Sequence, residues 1–227
     1  LASRTRGVND IFRDHFPVSA TLGFWALLVA LGIGMPLGIL AALKQNSLWD
    51  YVGMGVAVFG VSVPNIVLGP LLIVIFALWL NWLPVAGWGT PDKMIMPIIA
   101  LGMRESAIIA RLTRASMLQV IREDYIRTAR AKGLRERAVM VRHALKNALI
   151  PVATVLGPMF AVVMTGTFVV ERIFAVPGLG KYFVTSITNR DYPVVMGTIL
   201  LYAVILVLAN LVVDITYAFL DPRIRYS

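Results

Sequence analysis

Cysteine is absent from the 227 residues of this chain, and histidine occurs only twice, as His15 and His143. Without cysteine the chain can hold no disulfide, thiolate nucleophile or cysteine metal site. The two histidines form neither an HExxH motif nor the residue order of a hydrolase triad, and no GxxxxGK(S/T) phosphate loop is present. The residues therefore predict neither an enzyme nor a resident metal or nucleotide in this chain.

Charged residues are also scarce. They make up 15% of the chain, against about 25% in an average soluble domain. Hydrophobic residues make up 59%, and the mean hydropathy is +0.80. This composition excludes an ordinary soluble domain and predicts a membrane protein.

Five apolar runs are each long enough for a membrane-spanning helix, which needs about 20 residues. The second run carries no charge from Tyr51 to Pro91, but Gly60, Pro64 and Gly69-Pro70 interrupt it, so we expect one span with a kink. The chain is thus predicted to be an all-α, polytopic membrane protein with spans at residues 17–43, 52–80, 94–113, 148–170 and 194–217.

The basic residues are distributed unequally between the two sides of the membrane. Five spans place residues 44–50, 114–147 and 221–227 on one side with twelve Lys or Arg, and the remaining segments on the other side with six. Because cytoplasmic loops carry the excess of Lys and Arg, we expect the first side to be cytoplasmic. The predicted layout is an extracytoplasmic segment 1–16, a transmembrane domain 17–220 with an extracytoplasmic loop 171–193, and a cytoplasmic tail 221–227.

One cytoplasmic segment, residues 121–147, holds eight Lys or Arg against three acidic residues, and we call it the basic loop. Gly133 interrupts it, and we expect a short helix, a turn there and then an amphipathic helix. Nucleic acid is not expected as a partner, because Tyr125 is the only aromatic residue among the positive charges. The apolar face of the second helix recurs at steps of four and three residues, as Leu134, Ala138, Val141, Leu145 and Ala148.

The string DYIRTARAKGLRERAVMVRHALKNALIPV, residues 124–152, resembles the cytoplasmic EAA loop of permease subunits of bacterial ABC importers. The form is the one found in oligopeptide, dipeptide and nickel uptake systems. Ala129 and Gly133 match the motif, residues 148–151 match its end loosely, and Arg127 and Thr128 stand where the general pattern has Glu and Ala. The strings FVVERIFAVPGLG and NRDYP further along add to the resemblance.

The resemblance implies a type I ABC importer permease fold in a bacterial inner membrane, with six spans, the first of which would precede this chain. Such a subunit is expected to import peptides or nickel. Its expected partners are a second homologous permease subunit, two ATPase subunits, an extracytoplasmic solute-binding protein and membrane lipid. ATP and Mg²⁺ would be bound by the ATPase subunits, and no cofactor by this chain.

The same resemblance assigns two sets of residues. The basic loop would dock on an ATPase subunit, with Gly133 forming the turn and Ala129 packing closely. The coupling residues would be Tyr125, Arg127, Thr128, Ala129, Arg130, Lys132, Gly133, Leu134, Arg137, Arg142, His143, Asn147 and Pro151. The loop beneath the solute-binding protein would use Glu171, Pro177, Gly178 and Gly180.

Arg104 and Glu105 lie about ten residues into the third predicted span, where an ionisable side chain is expensive unless it is paired or hydrated. Neighbours in sequence point about 100° apart on a helix, so these two cannot readily pair with each other. Either they face the translocation path, with Ser106 as an accessory, or they pair with other helices; the residues favour neither. Two other classes remain open, an ion-coupled secondary transporter or channel using Arg104 and Glu105, and a membrane anchor whose basic loop binds lipid.

Overall fold

A computed structural model of the chain describes residues 7–164 and 168–220, and within these residues all regular secondary structure is helical. The first helix, α1 (Val8–Leu43), has 36 residues and is about 54 Å long at the usual rise per residue. It includes Pro17 and starts well before the predicted span. The described part of the predicted extracytoplasmic segment is therefore an extension of α1, and residues 1–6 lie outside the described chain.

The second predicted span is broken rather than kinked. Helices α2 (Leu48–Ser62) and α3 (Asn65–Leu72), the latter continued by a π-helical segment (Ile73–Trp79), meet at an angle of 106°. Pro64 disfavours helical dihedrals at Val63, and both residues have extended backbones with ψ of 145° and 115°. Each arm has about 15 residues and is about 22 Å long, which is less than the roughly 30 Å of a hydrocarbon core.

The second half of the chain contains the remaining long helices. These are α4 (Pro91–Val120), α8 (Ile150–Met164), α9 (Phe168–Ile173), α10 (Leu179–Asn189) and α11 (Tyr192–Leu220). Between α4 and α8 lie the shorter elements of the basic loop, α5 (Asp124–Ala131), α6 (Glu136–Ala138), a π-helical segment (Val139–Ala144) and α7 (Leu145–Ala148).

Three stretches of the described chain are long and apolar enough to cross a membrane, and the bent pair makes a fourth if it counts as one span. The three are Val8–Leu43, Ile150–Ile173 and Tyr192–Ile215. Helix α4, which contains the third predicted span, has 30 residues and is long enough to cross a membrane, but Arg104, Glu105 and Arg111 reduce its hydropathy. Residues 165–167 of the fourth predicted span lie outside the described chain.

Helices α1 and α4 are packed backbone against backbone. A Cβ atom added to Gly34 would lie 2.5 Å from the carbonyl oxygen of Ser106, and one added to Gly102 of α4 would lie 2.7 Å from that of Ala26. Small residues at such contacts let two helices approach closely where lipid leaves little hydrophobic force between them. The main core surrounds this pair and includes Leu22, Ala26, Ala30, Met96, Ala100, Leu101 and Ile109.

We expect Gly38→Ala to destabilise the protein, because the new methyl group would lie 2.5 Å from the carbonyl oxygen of Ala110 and 2.6 Å from Cβ of Thr113. Overpacking of this kind costs about 1–3 kcal/mol. Gly32→Ala on the same helix is the matched control, since nothing lies within 4 Å of its added Cβ. Thermal unfolding in detergent should show a lower midpoint for Gly38→Ala only, and equal midpoints would contradict the close contact.

Candidate functional site

The first half of the basic loop has the helix and turn that the sequence predicts. Helix α5 ends at Ala131, and Gly133 has a φ of +74°, in the left-handed region that glycine adopts without strain. The amide of Gly133 donates to the carbonyl of Arg130 at 2.9 Å. The predicted turn at Gly133 is confirmed.

The second half of the loop buries a different face from the predicted one. Leu134 and Val141 are 43% and 60% exposed, whereas Val139 and Ala144 are fully buried. The prediction assumed one helix of 3.6 residues per turn, but Leu134 lies before α6 begins at Glu136, and residues 139–144 form a wider π-helical turn. Of the predicted apolar face, only Ala148 is buried.

The buried side of the loop packs on the ends of two long helices. Ile126 and Ala129 are 0% and 6% exposed and belong to one cluster with Ala42 of α1 and Met117 of α4. Ala129 therefore packs closely inside the protein, and a displacement of the loop would bear directly on α1 and α4.

Two polar contacts hold the halves of the loop together. Arg130 donates to Glu136 from Nη2 at 2.7 Å and from Nε at 3.1 Å, across the Gly133 turn. The hydrogen bonds and charge of Arg130 hold the pKa of the Glu136 carboxyl below its ordinary value. Asn147 donates from Nδ2 to the hydroxyl of Tyr125 at 2.7 Å. Arg130, Tyr125 and Asn147 thus fix the shape of the loop.

The remaining predicted coupling residues are mostly at the surface. The hydroxyl of Thr128 donates to the backbone carbonyl of Asp124 in its own helix, and His143 is half-buried. The exposed apolar side chains Leu134 and Val141 lie on a loop whose exposed bases include Arg127, Lys132, Arg137 and Arg142, and Pro151 is exposed in the first turn of α8.

Within α4 the structure separates Arg104 from Glu105 as helical geometry predicts. Arg104 is exposed, whereas Glu105 is 8% exposed. Among the residues that the structure describes, no salt bridge reaches either side chain. The buried hydroxyl of Ser106 donates to the carbonyl of Met103, so its hydrogen bond stays within its own helix.

Of the four residues expected beneath the solute-binding protein, Pro177, Gly178 and Gly180 lie together in a turn, Glu171 lies on α9, and only Pro177 is exposed. Pro177 to Gly180, which we call the PGLG turn, exposes Pro177 and buries Gly178 and Gly180. Glu171 is only 1% exposed, and its carboxylate accepts hydrogen bonds from the Ser19 hydroxyl at 2.7 Å and the Gly180 amide at 2.8 Å. The structure thus places Glu171 inside the protein, bonded to α1.

Sequence reasoning missed one polar contact near the basic loop. Arg114, near the C-terminal end of α4, donates to both carboxylate oxygens of Asp50, at 2.6 and 2.7 Å. Asp50 is 2% exposed and also accepts from the amide of Asn46 at 3.0 Å. The sequence did contain one sign of this contact, because Asp50 is a single carboxylate next to the long uncharged run that begins at Tyr51.

Arg114→Leu should lower the free energy of unfolding by about 3 kcal/mol, because it leaves the Asp50 carboxylate buried without its partner. The double variant Asp50→Asn/Arg114→Leu should recover part of that loss. Arg111→Leu, which changes an exposed base on the same helix, should stay within about 0.5 kcal/mol of the parent. Chemical denaturation in detergent would measure the free energy of unfolding of all three variants. Equal decreases for Arg111→Leu and Arg114→Leu would show that the Asp50–Arg114 ion pair does not stabilise the fold.

Comparison with known proteins identifies the family. Residues 34–226 match the family described as binding-protein-dependent transport system inner membrane component. The chain belongs to this family. It is 52% identical over 218 residues to the dipeptide transport system permease protein DppB of Bacillus subtilis (strain 168), covering 96% of this chain and 71% of that protein. It is 48% identical over 221 residues to the oligopeptide transport system permease protein OppB of Escherichia coli (strain K12), covering 96% and 72%.

Solved structures with the same fold are importer permeases. The MetNI methionine ABC transporter, in inward-facing conformations, superposes with a TM-score of 0.75 at 14% identity, covering 93% of this chain and 96% of that chain. An amino acid ABC transporter superposes with a TM-score of 0.70 at 18% identity, covering 92% and 93%. The all-α fold of this family member is thus that of type I ABC importer permeases, as the EAA resemblance implied.

Proposed function

We propose that this subunit forms half of the path through which an ATP-driven, binding-protein-dependent importer takes up peptides. The observation that carries this is 48–52% identity to dipeptide and oligopeptide permeases along 96% of the chain. These relatives do not favour nickel as the substrate. Membership of a binding-protein-dependent family does not favour the secondary transporter, channel or membrane anchor.

Importer permeases of this kind work with ATPase and binding-protein partners. For this chain we propose a second homologous permease across the path, two ATPase subunits that bind ATP and Mg²⁺, and a solute-binding protein on the outer side. The bias of twelve bases to six supports a cytoplasmic basic loop and C-terminal tail, with loop 171–193 outside. The tail, residues 221–227, lies outside the described chain. Membrane lipid would surround the apolar helices.

We propose that the exposed side chains Leu134, Arg137, Val141 and Arg142 form a docking face that gives the basic loop a mechanical role. Leu134 and Val141 are apolar and exposed, and an apolar patch with a basic rim suits a groove that has an acidic edge. The loop's internal contacts, Arg130 to Glu136 and Asn147 to Tyr125, keep it in one shape. Movement of an ATPase subunit against this face would therefore pass to Ile126 and Ala129, and from there to the ends of α1 and α4.

Gly133→Trp tests the docking role. Nothing in this chain lies within 4 Å of a Cβ atom added at Gly133, so a side chain can leave the backbone there without a close contact. Any L residue at this φ is strained by about 1–2 kcal/mol, and Gly133→Ala is therefore the matched control, with the same strain but no bulk. We expect both variants to insert into the membrane and Gly133→Trp alone to abolish uptake of a labelled dipeptide by the complete importer.

Co-purification of the ATPase subunits provides a second readout, because the tryptophan should also weaken their retention on the permease. Normal transport by Gly133→Trp, with the ATPase subunits retained, would contradict docking at this turn. Equal loss in Gly133→Ala would show that the strained backbone, and not the bulk, is responsible.

The translocation path is tested at Arg104 and Glu105. We propose that the exposed Arg104 faces the path and binds the terminal carboxylate of a peptide, whereas the largely buried Glu105 contributes less. Arg104→Ala should raise the KM for uptake of labelled di- and oligopeptides about tenfold, the effect of losing roughly 1.4 kcal/mol of binding free energy. An unchanged KM for Arg104→Ala would exclude the path assignment, and uptake of Ni²⁺ instead of peptides would overturn the substrate class.

A further inference from the structure

Side chains from two other helices cap the N-terminus of α10. Gly178 is its N-cap residue and has no side chain to accept the first amides of the helix. Those amides are bonded from elsewhere in the chain. The amide of Leu179 donates to the Ser19 hydroxyl of α1 at 2.8 Å, and that of Gly180 to Glu171 Oε2 at 2.8 Å. The cap of α10 is therefore supplied by α1 and α9.

This cap is completely enclosed. Ser19 and Glu171 are each 1% exposed, and the Ser19 hydroxyl donates to Glu171 Oε1 at 2.7 Å. A buried carboxylate is tolerated only where hydrogen bonds and favourable dipoles replace water, and here it meets the positive end of a helix. Removal of either partner leaves a buried polar group unbonded, so the contact specifies one position of α10 against α1.

The PGLG turn has the residues that this arrangement requires. A Cβ on Gly178 would lie 2.5 Å from the Ser19 hydroxyl oxygen, and one on Gly180 would lie 2.8 Å from Glu171 Oε2. One turn before Ser19, the Nδ1 atom of His15 lies 2.8 Å from the carbonyl oxygen of Pro177. Its ring centroid lies 4.3 Å from that of Tyr182 on α10. Helix α1 thus holds α10 at two successive turns.

The other end of α1 holds the basic loop. Ala42 is 4% exposed and packs in the cluster that contains Ile126 and Ala129. Between Ser19 and Ala42, about 35 Å along the helix axis, Gly34 and Gly38 bring α1 into backbone contact with α4. These contacts hold α1 closely against α4 over this length, including the turn that contains Pro36.

We infer that α1 links the basic loop to α10, and that Ser19 and Glu171 are positioning residues that make α10 follow α1 during the transport cycle. Glu171 binds no substrate in this scheme; its carboxylate joins two helices. The inference depends on the proposed function, because it needs an importer in which the loop is moved by an ATPase subunit.

The test uses the complete importer in liposomes with a labelled dipeptide, and measures dipeptides imported per ATP hydrolysed. Ser19→Ala and Glu171→Ala should each lower this ratio about tenfold, because ATP hydrolysis at the basic loop would continue without moving α10. The double variant should be no worse than either single variant, because both remove the same contact. Ser186→Ala is the matched control, since this buried hydroxyl on α10 donates within its own helix, to the carbonyl of Phe183, and its loss should leave the ratio unchanged.

A distance measurement separates coupling from simple misfolding. The 227 residues of this chain contain no cysteine, so single cysteines at the exposed positions Arg13 of α1 and Thr188 of α10 can be spin-labelled once cysteines elsewhere in the importer are replaced. The parent importer should give one narrow distance that stays constant with and without ATP, and Ser19→Ala should broaden it. If Glu171→Ala fails to assemble, Ser19→Ala decides the question, because it removes only one hydroxyl group.

The outcomes are distinct. A parent importer that transports no peptide refutes the proposed function. A parent that transports peptide, with an unchanged ratio and an unchanged distance in Ser19→Ala, overturns the inference alone. A ratio lowered equally in Ser186→Ala also overturns it, since the effect would then follow from any lost buried hydroxyl on these helices.

Discussion

The rest of the structure depends on the direct backbone contact between α1 and α4. Gly34 and Gly38 on one helix and Gly102 on the other remove the side chains that would separate them. In a membrane, lipid tails are as apolar as the helices, so association relies on such close packing more than on the hydrophobic effect. The pair then provides a fixed frame, with the basic loop packed at one end of α1 and the PGLG turn bonded near the other.

The basic residues of the basic loop are of two kinds. Arg130 is committed to Glu136 and thereby stabilises the Gly133 turn, whereas Arg137 and Arg142 are exposed beside apolar side chains. The first kind of base sets the shape of the loop, and the second kind is available to a partner. A rigid loop transmits a displacement, whereas a flexible loop would absorb it, so the internal ion pair matters as much as the surface.

Local signals were enough to predict most of the helices and the turn at Gly133. They marked Pro64 as an interruption, but they predicted a kink where the helices meet at 106°. Each of these depends on a few neighbouring residues, on apolar length or on the special dihedrals of proline and glycine. The prediction of the buried face of the basic loop was wrong, because a pattern counted at 3.6 residues per turn cannot reveal a π-helical turn. The contacts of Ser19 with Glu171 and of Asp50 with Arg114 join residues far apart in sequence, and no periodicity reports such pairs.

The elbow between α2 and α3 limits what can surround it. At Val63 and Pro64 the backbone leaves the helical path, and the Asn65 Oδ1 atom next to it is buried without a hydrogen-bond partner among the described residues. Hydrocarbon tails offer nothing to carbonyl groups released from a helix, so an irregular segment at membrane depth must be covered by protein or wetted. At membrane depth, acyl chains alone could not solvate this corner, and the assembled transporter would have to supply either a neighbouring polypeptide or an aqueous cavity there.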